Sequence, residues 1–392
     1  MRILFTFAGG HGHYEPLAPI ARAAQDFGHD VSFACRASAI AGVTEAGFPA
    51  YAVGPDSRRF PLLRDHADEC AVITPLLALD IEREERDFRE YFAGRLARAR
   101  AAALLERCAA DRPDIVVCDE TDYGAMVAAE SLDLPYASVL VLIAGSFPDH
   151  SRLVEPLDAL RAKFGLAPDP GLEMLARHVV LAPFPPGFRE PAHPLPATAQ
   201  PIRPGALDPP DAGLVPGWLA DRPARPLIYL TLGTVFNMES GDLLPRALSG
   251  LRDLDADVVV TVGRQLDPAV LGEQPANVHV AGFIPQAAVL PHCDLVVSHG
   301  GSGSVVGALA YGVPSVLLPM GADQPNNARR CAELGVALVL DAVAATRATV
   351  RDAAAAVLSD GAYRERAARL RAEALALPRS AVAVGLLEAI VG

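Results

Sequence analysis

Cys293-Asp294-Leu295-Val296-Val297-Ser298-His299-Gly300-Gly301-Ser302-Gly303-Ser304-Val305-Val306-Gly307-Ala308-Leu309 is an apolar strand that runs into a turn of histidine, glycines and serines and opens directly into a helix. Glycines let backbone N–H groups approach an anion, serine hydroxyls add donors, and the helix N-terminus presents the positive end of its dipole. A diphosphate needs those features, although glycines and serines can also simply cap a helix after a tight turn. Strand, turn and helix in that order belong to α/β architecture with parallel sheets.

The same grammar extends outward. Upstream lie Leu227-Ile228-Tyr229-Leu230-Thr231, Val258-Val259-Val260-Thr261-Val262 and His279-Val280-Ala281, and downstream Ser315-Val316-Leu317-Leu318, with helical stretches between most of them. From Val350 to the C-terminus, a run rich in Ala, Arg and Glu predicts two or three helices interrupted at Pro378. At the other end the chain is apolar from Ile3 to Phe7 but for Thr6, as in a strand buried on both faces. The loop Ala8-Gly9-Gly10-His11-Gly12-His13, a helical pattern from Pro16 to Phe27 and the strand Val31-Ser32-Phe33-Ala34 complete a βαβ unit. A charged helical run from about Ile81 to Cys108, a strand at Ile115-Val116-Val117-Cys118, a helix from Gly124 to Leu132 and a strand from Pro135 to Val141 follow.

Between Pro183 and Pro226 about a dozen prolines crowd a segment without periodicity, which predicts an interdomain linker. The expected organisation is an N-terminal domain over 1–200, a Pro-rich linker over 201–226, a C-terminal domain over 227–377, and a final helix over 378–392 packing back on the N-terminal domain. Two doubly wound domains facing each other would put a ligand cleft between them, because open α/β sheets bind outside the carboxyl ends of their strands.

The glycine turn is embedded in a longer pattern. Gly282-Phe283-Ile284-Pro285-Gln286, His299-Gly300-Gly301-Ser302-Gly303-Ser304, Gly312-Val313-Pro314 and Pro319-Met320-Gly321-Ala322-Asp323-Gln324 resemble the donor-binding box of inverting, nucleotide-sugar-dependent glycosyltransferases of the GT-B fold. The similarity is greatest to the actinobacterial natural-product branch, of antibiotic and macrolide type, related to the plant secondary-product glycosyltransferases. It covers the whole chain in organisation, and the box of about forty residues is specific where a short G-x-G match would not be.

The resemblance implies two facing Rossmann-like domains, with the donor in the C-terminal domain and the acceptor in the N-terminal one. It implies Phe283 stacked on the nucleobase, Ile284 offering backbone hydrogen bonds to the base edge, and Gln286 near the ribose. It implies His299, Gly300, Gly301, Ser302, Gly303 and Ser304 at the pyrophosphate, with Gly233 and Thr234 facing the phosphates from across the cleft. Asp323 and Gln324 would meet sugar hydroxyls. Thr234 is equally an ordinary turn or N-cap residue. One position departs from the plant pattern: a helix Glu that clasps both ribose hydroxyls there is Gly307 here, which favours a deoxyribose donor such as a dTDP-sugar over a UDP-sugar.

Gly10-His11-Gly12-His13-Tyr14-Glu15-Pro16 follows the first strand. An imidazole titrates near neutrality and can take the proton of an attacking hydroxyl. In the similar family a G-H-x-x-P motif carries the base, and Gly12-His13-Tyr14-Glu15-Pro16 matches it, which nominates His13 and leaves His11 as a loop residue. Such a base is oriented by a carboxylate on its other nitrogen, and Asp119 stands where the family places that partner. Glu120 and Asp122 lie within three residues of it, and the less favoured alternative makes Asp119 an N-cap for the following helix.

Other readings fit less well. His11-x-His13 imitates the metal pair of amidohydrolase barrels but lacks further ligands at later strand ends. Asp253-Leu254-Asp255-Ala256-Asp257 imitates a D-x-D metal clamp but falls in an acidic turn. No metal or other cofactor is therefore expected, and activity should be insensitive to EDTA. A nicotinamide-dependent oxidoreductase shares βαβ units, but Glu15 stands where its third glycine belongs. A non-catalytic sugar-nucleotide-binding partner protein would keep the box and lose the base. The helix face with Phe88, Tyr91 and Phe92 either packs on the core, the favoured reading, or lines an acceptor pocket, and residues 54–80 and 144–155 carry no recognisable acceptor code.

Composition sets the outer bounds. The 392 residues are 51% hydrophobic and 21% charged, enough for two large cores and incompatible with disorder. A net charge of −13 argues against a nucleic-acid groove. Apolar runs fall short of the about 20 residues of a membrane span, no secretory leader is evident, and six cysteines without a C-x-x-C pair suit a reducing cytoplasm. The partners expected are thus a dTDP- or UDP-sugar and a small hydrophobic aglycone, with room for a homodimer.

Overall fold

A strand with no polar alternation is stable only where both faces of its sheet are covered. Strands of that kind build both halves of the protein. The computed structural model describes residues 1–55, 73–208, 215–219, 222 and 224–392. The described residues fall into two compact units, residues 1–55, 81–205 and 377–392 in one, residues 73–80 and the described part of 206–376 in the other.

The first unit runs β1 (Arg2–Thr6), α1 (His11–Tyr14), α2 (Ala18–Asp26), β2 (Asp30–Cys35), α3 (Ile40–Glu45), β3 (Ala50–Ala52), α4 (Ile81–Phe88), α5 (Ala97–Ala110), β4 (Ile115–Asp119), α6 (Tyr123–Ser131), β5 (Tyr136–Val139), α7 (Val154–Lys163), β6 (Val179–Ala182) and β7 (Ala199–Pro201). Its strands pair in parallel in the order β3-β2-β1-β4-β5-β6-β7. In register, Phe5 lies between Phe33 and Val117, and all three join a core completed by Ile20, Ala21 and Ala24 of α2. The helical run expected over 81–108 is interrupted: residues Arg89–Leu96, between α4 and α5, are π-helical.

The second unit runs β8 (Leu227–Thr231), α8 (Leu243–Leu251), β9 (Asp257–Thr261), β10 (Val278–Ala281), α9 (Gln286–Val289), β11 (Leu295–Ser298), α10 (Ser302–Tyr311), β12 (Ser315–Leu317), α11 (Gln324–Glu333), β13 (Ala337–Val339), α12 (Arg347–Ser359) and α13 (Gly361–Ala376). The parallel order is β10-β9-β8-β11-β12-β13. Leu243, Leu244, Ala247, Leu248 and Leu251 lay one apolar stripe of α8 onto that sheet. The last helix, α14 (Ala381–Val391), belongs to the first unit and buries Ala383, Val384 and Leu387 in its core.

Both sheets therefore share one winding, with the chain reversing direction between β1 and β4 and again between β8 and β11. Those switch points are where doubly wound sheets take ligands. Two boundaries differ from the sequence reading, which keeps residues 54–80 in the first domain and sets 201–226 apart as a linker: residues 201–205 group with the first unit and the described residues of 206–226 with the second. Residues 56–72 lie outside the described ones, but 73–80 group with the second unit. Thr74 N–H donates to Met238 O at 2.7 Å, Gly241 N–H donates to Thr74 O at 2.9 Å, and Leu76 packs on the β8–β12 core. Pairing of otherwise unsatisfied loop backbone drives that grouping. No single described helix is long and apolar enough to cross a membrane.

Candidate functional site

In the first unit β1 and β4 are neighbours, so the loop after β1 and the residues ending β4 emerge side by side. Asp119, the last residue of β4, is fully buried. Its carboxylate accepts from Ala8 N–H at 2.6 Å, Thr121 N–H at 2.7 Å and the Thr121 hydroxyl at 2.6 Å. His13 Nδ1 lies 3.4 Å from Asp119 Oδ1 and 3.3 Å from Thr121 Oγ1. Burial alone would raise the Asp119 pKa, but the facing His13 and the bonds from Thr121 and Ala8 outweigh it and hold the carboxyl below its ordinary 3.8.

The imidazole sits in a slot. A Cβ on Gly9 would come within 2.1 Å of its Cδ2, so only glycine leaves room there. The Phe92 ring stacks parallel to it, 7° between planes and 6.1 Å between centroids. Phe92 and Phe88 are buried and stacked at 4.7 Å, with Phe147 edge-on to Phe88. These aromatics pack in the interior, and through Phe92 that packing reaches the histidine. His11 turns away to Glu15, 3.1 Å from its carboxylate.

The two neighbouring acids have other partners. Asp122 caps α6 and takes two bonds from the buried Arg100, at 2.9 and 2.7 Å, plus one from the Thr6 hydroxyl at 2.6 Å. The N-cap is therefore Asp122 and not Asp119. Glu120 accepts from the backbone N–H groups of Val141 and Leu142. Burial pushes its carboxyl up to about 7 against the pull of Arg189.

In the second unit the carboxyl ends of β8 and β11 hold a second histidine between glycines. A Cβ on Gly233 would meet the His299 ring at 2.7 Å and one on Gly301 at 2.5 Å, and Gly233 has φ +77°. His299 is 8% exposed, and its Nδ1 has no hydrogen-bond partner among the described residues. Burial lowers its pKa to about 4, so the ring is neutral at pH 7. Ser302, Gly303 and Ser304 form the first turn of α10, whose leading N–H groups have no partner within the helix.

Ser302 and Asp323, expected at the pyrophosphate and at the sugar, are bonded to each other at 2.6 Å. Asn327 donates to the same Asp323 oxygen at 2.7 Å and to Gly300 O at 3.0 Å, locking the turn to α11. The Gln324 side-chain oxygen accepts from Met320 and Gly321 N–H, which shapes its own loop. A Cβ on Gly307 would come within 2.5 Å of the Gln286 oxygen and 3.0 Å of Leu290. The space a glutamate would need at 307 is thus filled by Gln286, whose amide also lies 3.4 Å from the Ser304 hydroxyl. Ile284 is buried among Leu219, Ala288 and Val289. Thr234 O accepts from Gln265 at 3.0 Å, and the Arg264 guanidinium lies 3.8 Å over the Phe283 ring.

The acidic turn before β9 is engaged in ion pairs, Asp253 with Arg347 and Asp257 with Arg225. Among the described residues no group of three or more His, Cys, Asp or Glu side chains could hold a metal ion. Gly9, Thr121, Arg264 and Asn327 were not legible as site residues, because only contacts across the sheet ends give them roles.

Residues 245–390 match the family model "Erythromycin biosynthesis protein CIII-like, C-terminal domain". The chain is 31% identical over 390 residues to L-demethylnoviosyl transferase of Streptomyces niveus, covering 97% of this chain and 96% of the relative. The glycosyltransferase SnogD from Streptomyces nogalater superimposes with a TM-score of 0.77 at 29% identity, over 100% of this chain and 99% of that one. Glycosyltransferase VinC, solved in complex with dTDP, does so with a TM-score of 0.77 at 26% identity over the same shares.

Proposed function

The chain belongs to the GT-B glycosyltransferases of antibiotic and other natural-product pathways, and on that premise we propose that it is an inverting enzyme moving a deoxysugar from a dTDP-sugar to a small hydrophobic aglycone. The acceptor hydroxyl attacks the anomeric carbon, a new C–O bond forms as the bond to the diphosphate oxygen breaks, and His13 takes the hydroxyl proton. Asp119 orients the imidazole and stabilises the imidazolium as it forms. The observation that carries this reading is the His13 Nδ1 at 3.4 Å from a fully buried carboxylate held below its ordinary pKa.

On the donor side, charge developing on the departing diphosphate would be met by the first turn of α10 at Ser302, Gly303 and Ser304, by His299, and by the loop amides at Gly233, Thr234, Gly300 and Gly301. Phe283, Ile284 and Gln286 would take the nucleoside. Asp323 with its bonded Ser302, and Gln324, would meet the sugar. The filling of the Gly307 space by Gln286 supports a deoxyribose donor, since no carboxylate is left to clasp two ribose hydroxyls. No metal is required in this scheme, and a cytoplasmic setting fits the chain's free, buried cysteines among the described residues.

Calorimetric titration of dTDP and UDP tests the donor, with dTDP expected to bind more tightly. Tighter UDP binding removes the deoxyribose argument. Slow release of dTDP from a dTDP-hexose without acceptor, lost in His13→Ala, is the result expected of an enzyme rather than a sugar-nucleotide sensor.

A further inference from the structure

Residues 232–242, 262–267, 282–285, 299–301 and 318–323, all of them described, form the loops at the carboxyl ends of β8 to β12. Arg264 is the one lysine or arginine among them. A nucleoside diphosphate brings two to three negative charges to that rim. The end of α10 offers about half a positive charge, His299 is neutral, and Glu239, Asp242, Asp267 and Asp323 carry the opposite sign.

The β9 loop that bears Arg264 is fixed in shape and tied to the glycine turn. Gly263 has φ +87°, and a Cβ there would lie 2.2 Å from the Asn237 amide nitrogen, which donates to Val262 O at 2.8 Å. Gln265 bonds the Thr234 carbonyl at 3.0 Å, and the residue before Thr234 is the glycine against His299. At the tip the exposed Arg264 guanidinium rests on the Phe283 ring at 3.8 Å and has no carboxylate partner among the described residues. Stacking on an aromatic face holds the flat cation in place while leaving its in-plane N–H donors free for a phosphate.

We propose that Arg264 is a donor-binding residue that supplies the positive charge for the nucleoside diphosphate, with Phe283 as the platform that positions it. The inference deepens the donor reading above and rests on it. Arginine to phosphate is a charge-assisted, commonly bidentate bond, worth about twice a neutral one.

Calorimetry on the full-length protein tests it, with dTDP and thymidine as probes at low and high salt. Arg264→Ala should weaken dTDP roughly tenfold to a hundredfold, leave thymidine within about twofold, and flatten the salt dependence of dTDP binding. Arg264→Lys should recover part of the loss. Unchanged dTDP affinity in Arg264→Ala overturns the proposal, as does an equal loss of thymidine, which would make the residue a base contact. Tighter binding of both probes also overturns it, by making the guanidinium a plug on the ring. Failure of the wild-type protein to bind dTDP would instead overturn the donor reading itself. Arg264 is exposed, and an unchanged unfolding transition of Trp218 fluorescence confirms that each variant is folded.

Discussion

The two units wind their sheets in the same order and seat a histidine at the same kind of place, yet they surround it with opposite chemistry. In the first, Gly9 makes room for His13 and a buried carboxylate faces it. In the second, Gly233 and Gly301 make room for His299, no charged group among the described residues faces it, and burial keeps it neutral. A carboxylate partner makes an imidazole into a proton acceptor. Glycines and a helix end without one make a place for an anion. The fold supplies the two positions, and what lies beside each ring decides which chemistry it can do.

The sharpest break of that comparison is His13→Ala. Turnover should fall about 10²- to 10⁴-fold, the usual worth of a positioned general base, while dTDP affinity by calorimetry stays at the wild-type value. A variant that keeps turnover removes the first half of the contrast.

The next largest effect separates two acids of the first unit. Asp122→Ala strands the buried Arg100 and should cost about 3–5 kcal/mol of stability, read by urea unfolding. Asp119→Asn keeps the size of the side chain but sets its amide NH2 against either Ala8 N–H or Thr121 N–H, so it should cost some stability, less than Asp122→Ala, and lose activity far more. Equal destabilisation by the two would mean that Asp119 is a structural residue.

A pH series sharpens the second half. His299 has its folded pKa lowered from 6.5 to about 4, so the unfolded chain takes up the proton first. Its neutral burial costs nothing above pH 6.5, and stability is lost as pH falls toward 4, by roughly 3 kcal/mol at about 1.4 kcal/mol per unit. Asp119, also lowered, loses its contribution only below the ordinary carboxylate value of 3.8. Glu120 in the first unit, raised to about 7, works in the opposite sense over the same range, so the His299 contribution is read as a difference. Urea unfolding followed by Trp218, the single tryptophan and a residue of the second unit, should lose more stability between pH 6.5 and about 4 in the wild type than in His299→Gln. An equal loss in the two would place the proton elsewhere.

Smallest in effect are the glycines, and they should give mirrored results. Gly9→Ala pushes on the His13 ring and should lower kcat by on the order of 10²-fold, because a displacement near 1 Å costs about that much, with dTDP affinity unchanged. Gly301→Ala pushes on His299 and should weaken dTDP about tenfold, near 1.4 kcal/mol. If each variant impaired the other function, the division between the units would fail.

Much of this was legible in the sequence. Long strands such as Leu227–Thr231 and the turn from Ser298 into Ser304 are continuous in the chain, and local composition suffices to read them. The strands β3, β6, β7 and β13 were not: β7 is hidden in the Pro-rich stretch, and at the others shortness left no period, so it is pairing with a neighbouring strand that identifies them. The π-helical stretch 89–96 was hidden inside an ordinary charged helical pattern. Asp119 and Asp122 look alike along the chain, and only Arg100, twenty-two residues before Asp122, tells them apart. The bond of Ser302 to Asp323 joins residues twenty-one apart, and the pairing of Thr74 with Met238 spans 164 residues. Neither leaves a local signature.

The most direct test of the central claim is mass spectrometry of a panel of hydrophobic aglycones incubated with one dTDP-hexose and either wild-type enzyme or His13→Ala. The account predicts an aglycone-plus-sugar product with equimolar dTDP for the wild type, and none for the variant although it still binds dTDP. Product formed by His13→Ala at the wild-type rate would contradict it.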